Sequence, residues 1–168
     1  GGPFILATDF SGAGIGAILN QMQNGREKFI SAYSRKLGKH ELNYSSMKGE
    51  LLAVISSLRK YEHLLRGAHF IIRTDNSAIK FIMASTSSKG ILSRWREYLD
   101  SFCFSITHIA GKRNHGPDLL SRNTSVMSNL TNDEKKYEVE DYADLNSVQC
   151  FSNAEHRECI SLCLKSRK

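Results

Sequence analysis

The stretch HFIIRTDNSAIKF, residues 69–81, decides how the rest of the chain is read. Phe70 and three β-branched residues, Ile71, Ile72 and Thr74, predict a buried strand. That strand runs straight into Asp75, and the chain turns at once into a short helix over about 76–84. A carboxylate at the rim of an apolar core is costly unless a cation or a hydrogen-bond network accompanies it. Asp75 therefore marks a point where other groups have to converge.

Upstream, PFILATDF (3–10) predicts a second strand that ends in an acid, Asp9. The glycines of SGAGIGAILNQM break a helix, and Ile15, Ala17 and Leu19 alternate, so another strand follows through a tight turn. Asn24-Gly25 is a hairpin signal, after which KFISAYSRKL returns as a further strand. From about Leu42 to Arg66 the period changes. Met47, Leu51, Val54, Ile55, Leu58, Tyr61 and Leu65 fall three and four apart, an amphipathic helix closed by Gly67.

Downstream of the opening stretch, Leu92, Trp95, Tyr98 and Leu99 predict a helix with Trp95 in the core. In FCFSITHIAG, Phe102, Phe104 and Ile106 alternate with Cys103, Ser105 and Thr107, the fifth strand. GPDLLSR then begins a helix, with Pro117 at its first position and Asp118 in its first turn. The order βββ-α-β-α-α-β-α implies an antiparallel meander extended by parallel strands through helical crossovers. The fold class is α/β, a five-stranded mixed sheet flanked by helices.

Residues 1–122 carry 17 Lys+Arg against 9 Asp+Glu, whereas 123–168 carry 6 against 8. A basic globular part followed by an acidic tail suits a nucleic-acid binder with an appended linker, or simply a solubilising surface. Residues 1–122 are therefore read as the domain. Residues 123–168 are read as a polar, acidic linker or tail, with a short C-terminal helix after about 150. No apolar run is long enough to cross a bilayer, so no membrane partner is expected. Cys103, Cys150, Cys159 and Cys163 fit reduced thiols in an intracellular protein better than a disulfide framework, and with His156 they match no usual zinc spacing.

Asp9, Glu50, Asp75 and Asp118 come from four different elements. Asp9 and Asp75 end strands that lie side by side if those strands are parallel neighbours, and ligand sites of α/β sheets gather outside such ends. Glu50 lies near the start of the long helix on the border of its apolar stripe, and Asp118 opens the last helix. Each alone has an ordinary reading as a turn former, cap or solvated residue. Together they form a like-charge cluster that needs a counter-charge. Hard oxygen donors select Mg2+, with Mn2+ able to substitute. A pair of such ions roughly 3.5–4 Å apart stabilises both attacking and leaving oxygens of an in-line phosphodiester displacement.

Four blocks carry a resemblance: FILATDFSGAGIGAILNQ, ISAYSRKLGKHELNYSSMKGELLAVISSLRKYEHLLRG, FIIRTDN and ITHIAGKRNHGPDLLSR. In this order and at these distances they resemble the ribonuclease H domain of gypsy-type LTR retrotransposon reverse transcriptases, over about residues 3–122. The resemblance implies the ribonuclease H fold and an endonuclease cutting the RNA strand of RNA–DNA hybrids with two Mg2+ ions. It implies a polyprotein with adjoining reverse transcriptase and integrase regions, located in the cytoplasm in retroelement particles. The family's acidic positions fall on Asp9, Glu50, Asp75 and Asp118, as catalytic residues and metal ligands. Two departures stand out. The family's D-A-S is here Asp9-Phe10-Ser11, so a bulky ring must enter the core or alter the groove, and Pro117 replaces the usual Ala.

A hybrid duplex offers a wide minor groove with 2′-hydroxyls on one strand only. Backbone groups at Ser11, Gly12 and Gly14 can approach it closely, and Ser46 and Asn76 can donate to sugar oxygens or serve as caps. Arg35, Lys36, Lys39, Lys112 and Arg113 are candidates for phosphate contacts. His115 is a candidate for aiding product release, or an ordinary loop residue. The competing reading is an inert ribonuclease H-like module that tethers other domains or binds nucleic acid. An integrase-type core of the same fold fits less well, because its last acid would be Glu where this chain has Asp118.

Overall fold

A computed structural model describes residues 1–74, 78–85, 90–108 and 149–151. The meander forms as expected: β1 (Phe4–Phe10), β2 (Gly14–Gln23) and β3 (Arg26–Lys36) are antiparallel neighbours. Asn24 and Gly25 make the β2–β3 turn with φ of 52° and 76°, the left-handed pair a two-residue hairpin demands.

Helix α1 (Ser46–Leu65) is the expected long helix, but it starts later than its periodicity suggests. Glu41–Asn43 form a separate 3-10 turn, and Ser45 is the N-cap, its Oγ accepting from the Lys48 N–H at 3.3 Å. At the other end Gly67, at φ 79°, takes the left-handed position after Arg66. Strand β4 (His69–Thr74) and strand β5 (Cys103–His108) then add in parallel to β1, bridged by α2 (Ala78–Ala84) and α3 (Ile91–Asp100). Three residues of the predicted tail, Gln149–Phe151, form β6 antiparallel to β5, giving the sheet order β3-β2-β1-β4-β5-β6.

The register explains the core. Leu6 pairs with Leu19 and with Ile72, and Phe70 with Phe104, so these side chains share one sheet face. They join Leu51, Val54, Ile55, Leu58, Tyr61 and Leu65 of α1 in one buried cluster. Trp95 belongs to that cluster, as its helical spacing predicts, with its ring edge-on to Tyr44. Because β1 and β4 run parallel, they deliver Phe10 and Thr74 to the same end of the sheet.

Candidate active site

Asp9 is the penultimate residue of β1 and lies opposite Gly16 of β2, where no side chain competes for space. It is 7% exposed, as is Glu50 in the second turn of α1. A close contact ties these two elements together. Gly49 lies so near Phe10 that a Cβ built on it would stand 2.5 Å from the Phe10 Cδ1 and nearer still to Cε1 and Cζ. Asp9 and Glu50 are each one residue from this contact, so the backbone carries both acids to the end of the sheet. Phe10, the departure in the first block, packs its ring against the core cluster.

β4 stops at Thr74 beside β1, with Ala7 opposite Arg73. Asp75 follows Thr74 directly in sequence. Asp75, Asn76, Asp118, Lys112, Arg113 and His115 lie outside the described residues, as does the predicted last helix. Among the described residues no three His, Cys, Asp or Glu side chains form a metal-holding group. The two described acids are hard oxygen donors with little exposure, the donor chemistry that suits Mg2+ or Mn2+ rather than a soft metal.

The β1–β2 turn is built by Ser11. Its Oγ accepts from the N–H groups of Ala13 and Gly14, each at 3.2 Å, while its own N–H donates to the Gly14 carbonyl at 2.9 Å. The Ser11 hydroxyl is thus engaged in shaping the loop after Asp9, an ST-turn arrangement, in the segment whose backbone is expected to approach substrate. Gly12 is exposed, and a Cβ there would meet nothing within 4 Å. Ser46 is the first, exposed residue of α1, and the capping falls to Ser45 instead.

The basic residues divide. Lys36 pairs in register with Gly14, so it stands beside the β1–β2 turn, and both Lys36 and Lys39 are exposed. Arg35 is committed to the fold: its guanidinium donates to both Glu41 oxygens, at 2.6 and 2.9 Å, and to Ser56 Oγ at 3.2 Å. That hydrogen-bonded fork holds the Glu41 carboxyl below its usual range and raises Arg35. Lys48, which sequence reasoning passed over, places its Nζ 3.9 Å from the centre of the Tyr44 ring at the same end of α1. The signal was available in Tyr44 and Lys48, which stand four apart.

The family described as "RNase H-like domain found in reverse transcriptase" matches residues 1–102. The chain is 40% identical over 119 residues to the Pol polyprotein of transposon 297 from Drosophila melanogaster, covering 71% of this chain and 11% of that protein. It is 37% identical over 129 residues to the Pol polyprotein of transposon gypsy from the same organism, covering 76% and 12%. The chain thus spans about a tenth of these relatives' length. Among solved structures, LC11-RNase H1, isolated from compost by a metagenomic approach, superposes with a TM-score of 0.54 at 16% identity, covering 78% of this chain and 100% of that one. The same enzyme has been solved in complex with an RNA/DNA hybrid, matching with a TM-score of 0.51 at 15% identity over 70% of this chain and 92% of that one.

Proposed function

The chain belongs to the family of RNase H-like domains found in reverse transcriptases, as carried by LTR retrotransposon polyproteins, and from that premise we propose that it cuts the RNA strand of RNA–DNA hybrids. The observation that carries the proposal is the close approach of β1 and α1 at Phe10 and Gly49, which brings the neighbouring, nearly buried acids Asp9 and Glu50 to the end of the sheet where β4 also ends. Asp75 and Asp118 complete the set in this reading. The four carboxylates would hold a pair of divalent cations, which supply Lewis acidity for displacement at a phosphodiester.

The protein's own residues do the rest. Asp9 is held by β1 and the Ser11 turn, and Glu50 by α1, so neither carboxylate has to be ordered when substrate arrives. The turn at Gly12 presents bare backbone to a sugar edge, and Lys36 and Lys39 face phosphates of the same duplex. Asn76, Ser46, Lys112 and Arg113 are further contacts in this proposal. The setting is a polyprotein with reverse transcriptase and integrase regions alongside, working in cytoplasmic retroelement particles.

The test is a labelled hybrid incubated with the full 168-residue chain in Mg2+ or Mn2+. The RNA strand should be cut, duplex DNA spared, and cleavage lost in Asp75→Asn. Binding of the hybrid without cleavage at any metal concentration would instead identify an inert nucleic-acid-binding module.

A further inference from the structure

Glycine is the poorest ordinary helix former, so a glycine inside α1 calls for a cause. Backbone conformation does not supply one, because among the described residues the positive-φ glycines are Gly25, Gly67 and Gly90. Nor is Gly49 a cap, since Ser45 holds that position. Whereas Gly12, Gly25, Gly67 and Gly90 open onto free space, a Cβ on Gly49 would fall inside the Phe10 ring's contact distance, nearer than real Cβ atoms come. Phe10 itself stands where the family's first block usually has alanine. One position carries a ring, and the position facing it carries no side chain.

We propose that Phe10 and Gly49 are a matched pair of positioning residues that sets how deeply the start of α1 lies on the end of β1. With that depth they set the separation of the neighbouring Asp9 and Glu50 carboxylates. The backbone under the ring has little freedom to yield. Phe10 is paired to Ile15 in the sheet, the next residue is pinned to Gly14, and the ring rests on the core cluster. A methyl group added at residue 49 therefore pushes on α1, and a helix moves as a rod, carrying Glu50 with it. The functional half of this inference rests on the nuclease reading; the packing half does not.

The experiment compares Gly49→Ala, Phe10→Ala and the double variant in the full chain, by Mn2+ calorimetry, hybrid cleavage and crystal structure. Gly49→Ala should lose about ten- to a hundredfold in Mn2+ affinity, the range for removing a group that orients metal ligands. Its cleavage should recover in part at high Mn2+, and its crystal structure should show the start of α1 lifted from β1. The double variant should regain both the affinity and the wild-type helix position. Wild-type affinity in Gly49→Ala with the ring swung aside overturns the proposal, as does a double variant no better than the single. If Gly49→Ala fails to fold, a folded, metal-binding double variant supports the pair and an unfolded one overturns it. A wild-type chain that neither takes up Mn2+ nor cuts hybrid sinks the nuclease reading and this functional half with it. The helix shift and its reversal then decide the packing half alone.

Discussion

Two regions of the molecule bury carboxylates, and the proposed reading gives them different roles. In the body of the sheet, the Glu27 side chain on β3 is 6% exposed and forms an ion pair with Arg73 on β4. That contact reaches across β2 and β1, and Asn20 of β2 adds a hydrogen bond to Glu27 Oε2 at 3.0 Å. Ala7, opposite Arg73, is small enough to let the long side chains pass. At the end of the sheet, Asp9 and Glu50 are buried to a similar degree, each next in sequence to the Phe10–Gly49 contact. The first region balances its charge within the fold. In the proposed reading the second is balanced by cations brought from outside, so stability and function are separated between the two.

Substitutions can break that separation. The largest effect is expected at the end of the sheet: Asp9→Asn should lower hybrid cleavage about a thousandfold or more. It should leave the metal-free stability unchanged or slightly raised, because it relieves like-charge repulsion. Thermal unfolding in EDTA beside a cleavage assay checks both halves, and a large loss of stability would place Asp9 with the structural carboxylates. Arg73→Ala is the converse case. It removes the cation facing Glu27 in a mostly buried setting and should cost about 3 kcal/mol in denaturant unfolding, while cleavage per folded molecule stays near wild type.

Gly12→Ala sharpens the comparison on the substrate side. Open space at this position predicts no loss of stability, yet a duplex seated on the turn should bind less tightly by a few fold in a fluorescence anisotropy titration. Unchanged affinity would move the duplex away from the β1–β2 turn. Glu41→Gln gives the smallest effect, about 1 kcal/mol at neutral pH for loss of a partly exposed Arg35 pair. Glu41 titrates below its usual 4.5 because Arg35 bonds the charged form. The stability it adds is present above pH 4.5 and lost as pH falls through the depressed value. Wild type and variant should therefore converge in acid unfolding curves below that window.

Local sequence carried the elements well. Alternation in β1, β2 and β5, the Asn24-Gly25 turn and the three-and-four spacing of α1 all reflect side-chain patterning against one core, which a strand or helix displays along its own length. The parallel placement of β4 beside β1 followed from the helix before β4, and with it the shared end to which Phe10 and Thr74 are delivered. The hidden features depend on partners distant in sequence. The Glu27–Arg73 pair joins residues that no period relates, and Arg35 looks like a free phosphate contact until Glu41 and Ser56 are seen to occupy it. Periodicity starts the long helix too early because Leu42 fits the apolar rhythm, although Ser45 caps only the residues after it. β6 escapes because three residues are too short a run to show a pattern until a neighbouring edge receives them. Gly49 is legible only as a weak spot in a helix; its meaning comes from the ring of Phe10 on another strand.

Magnesium titrated calorimetrically into the folded chain, beside Asp9→Asn, probes the acid cluster before any substrate is involved. Saturable uptake of two ions by the wild type, weakened or reduced to one in the variant, is the expected result. Heats no larger than dilution in both proteins, or identical binding in both, would contradict it.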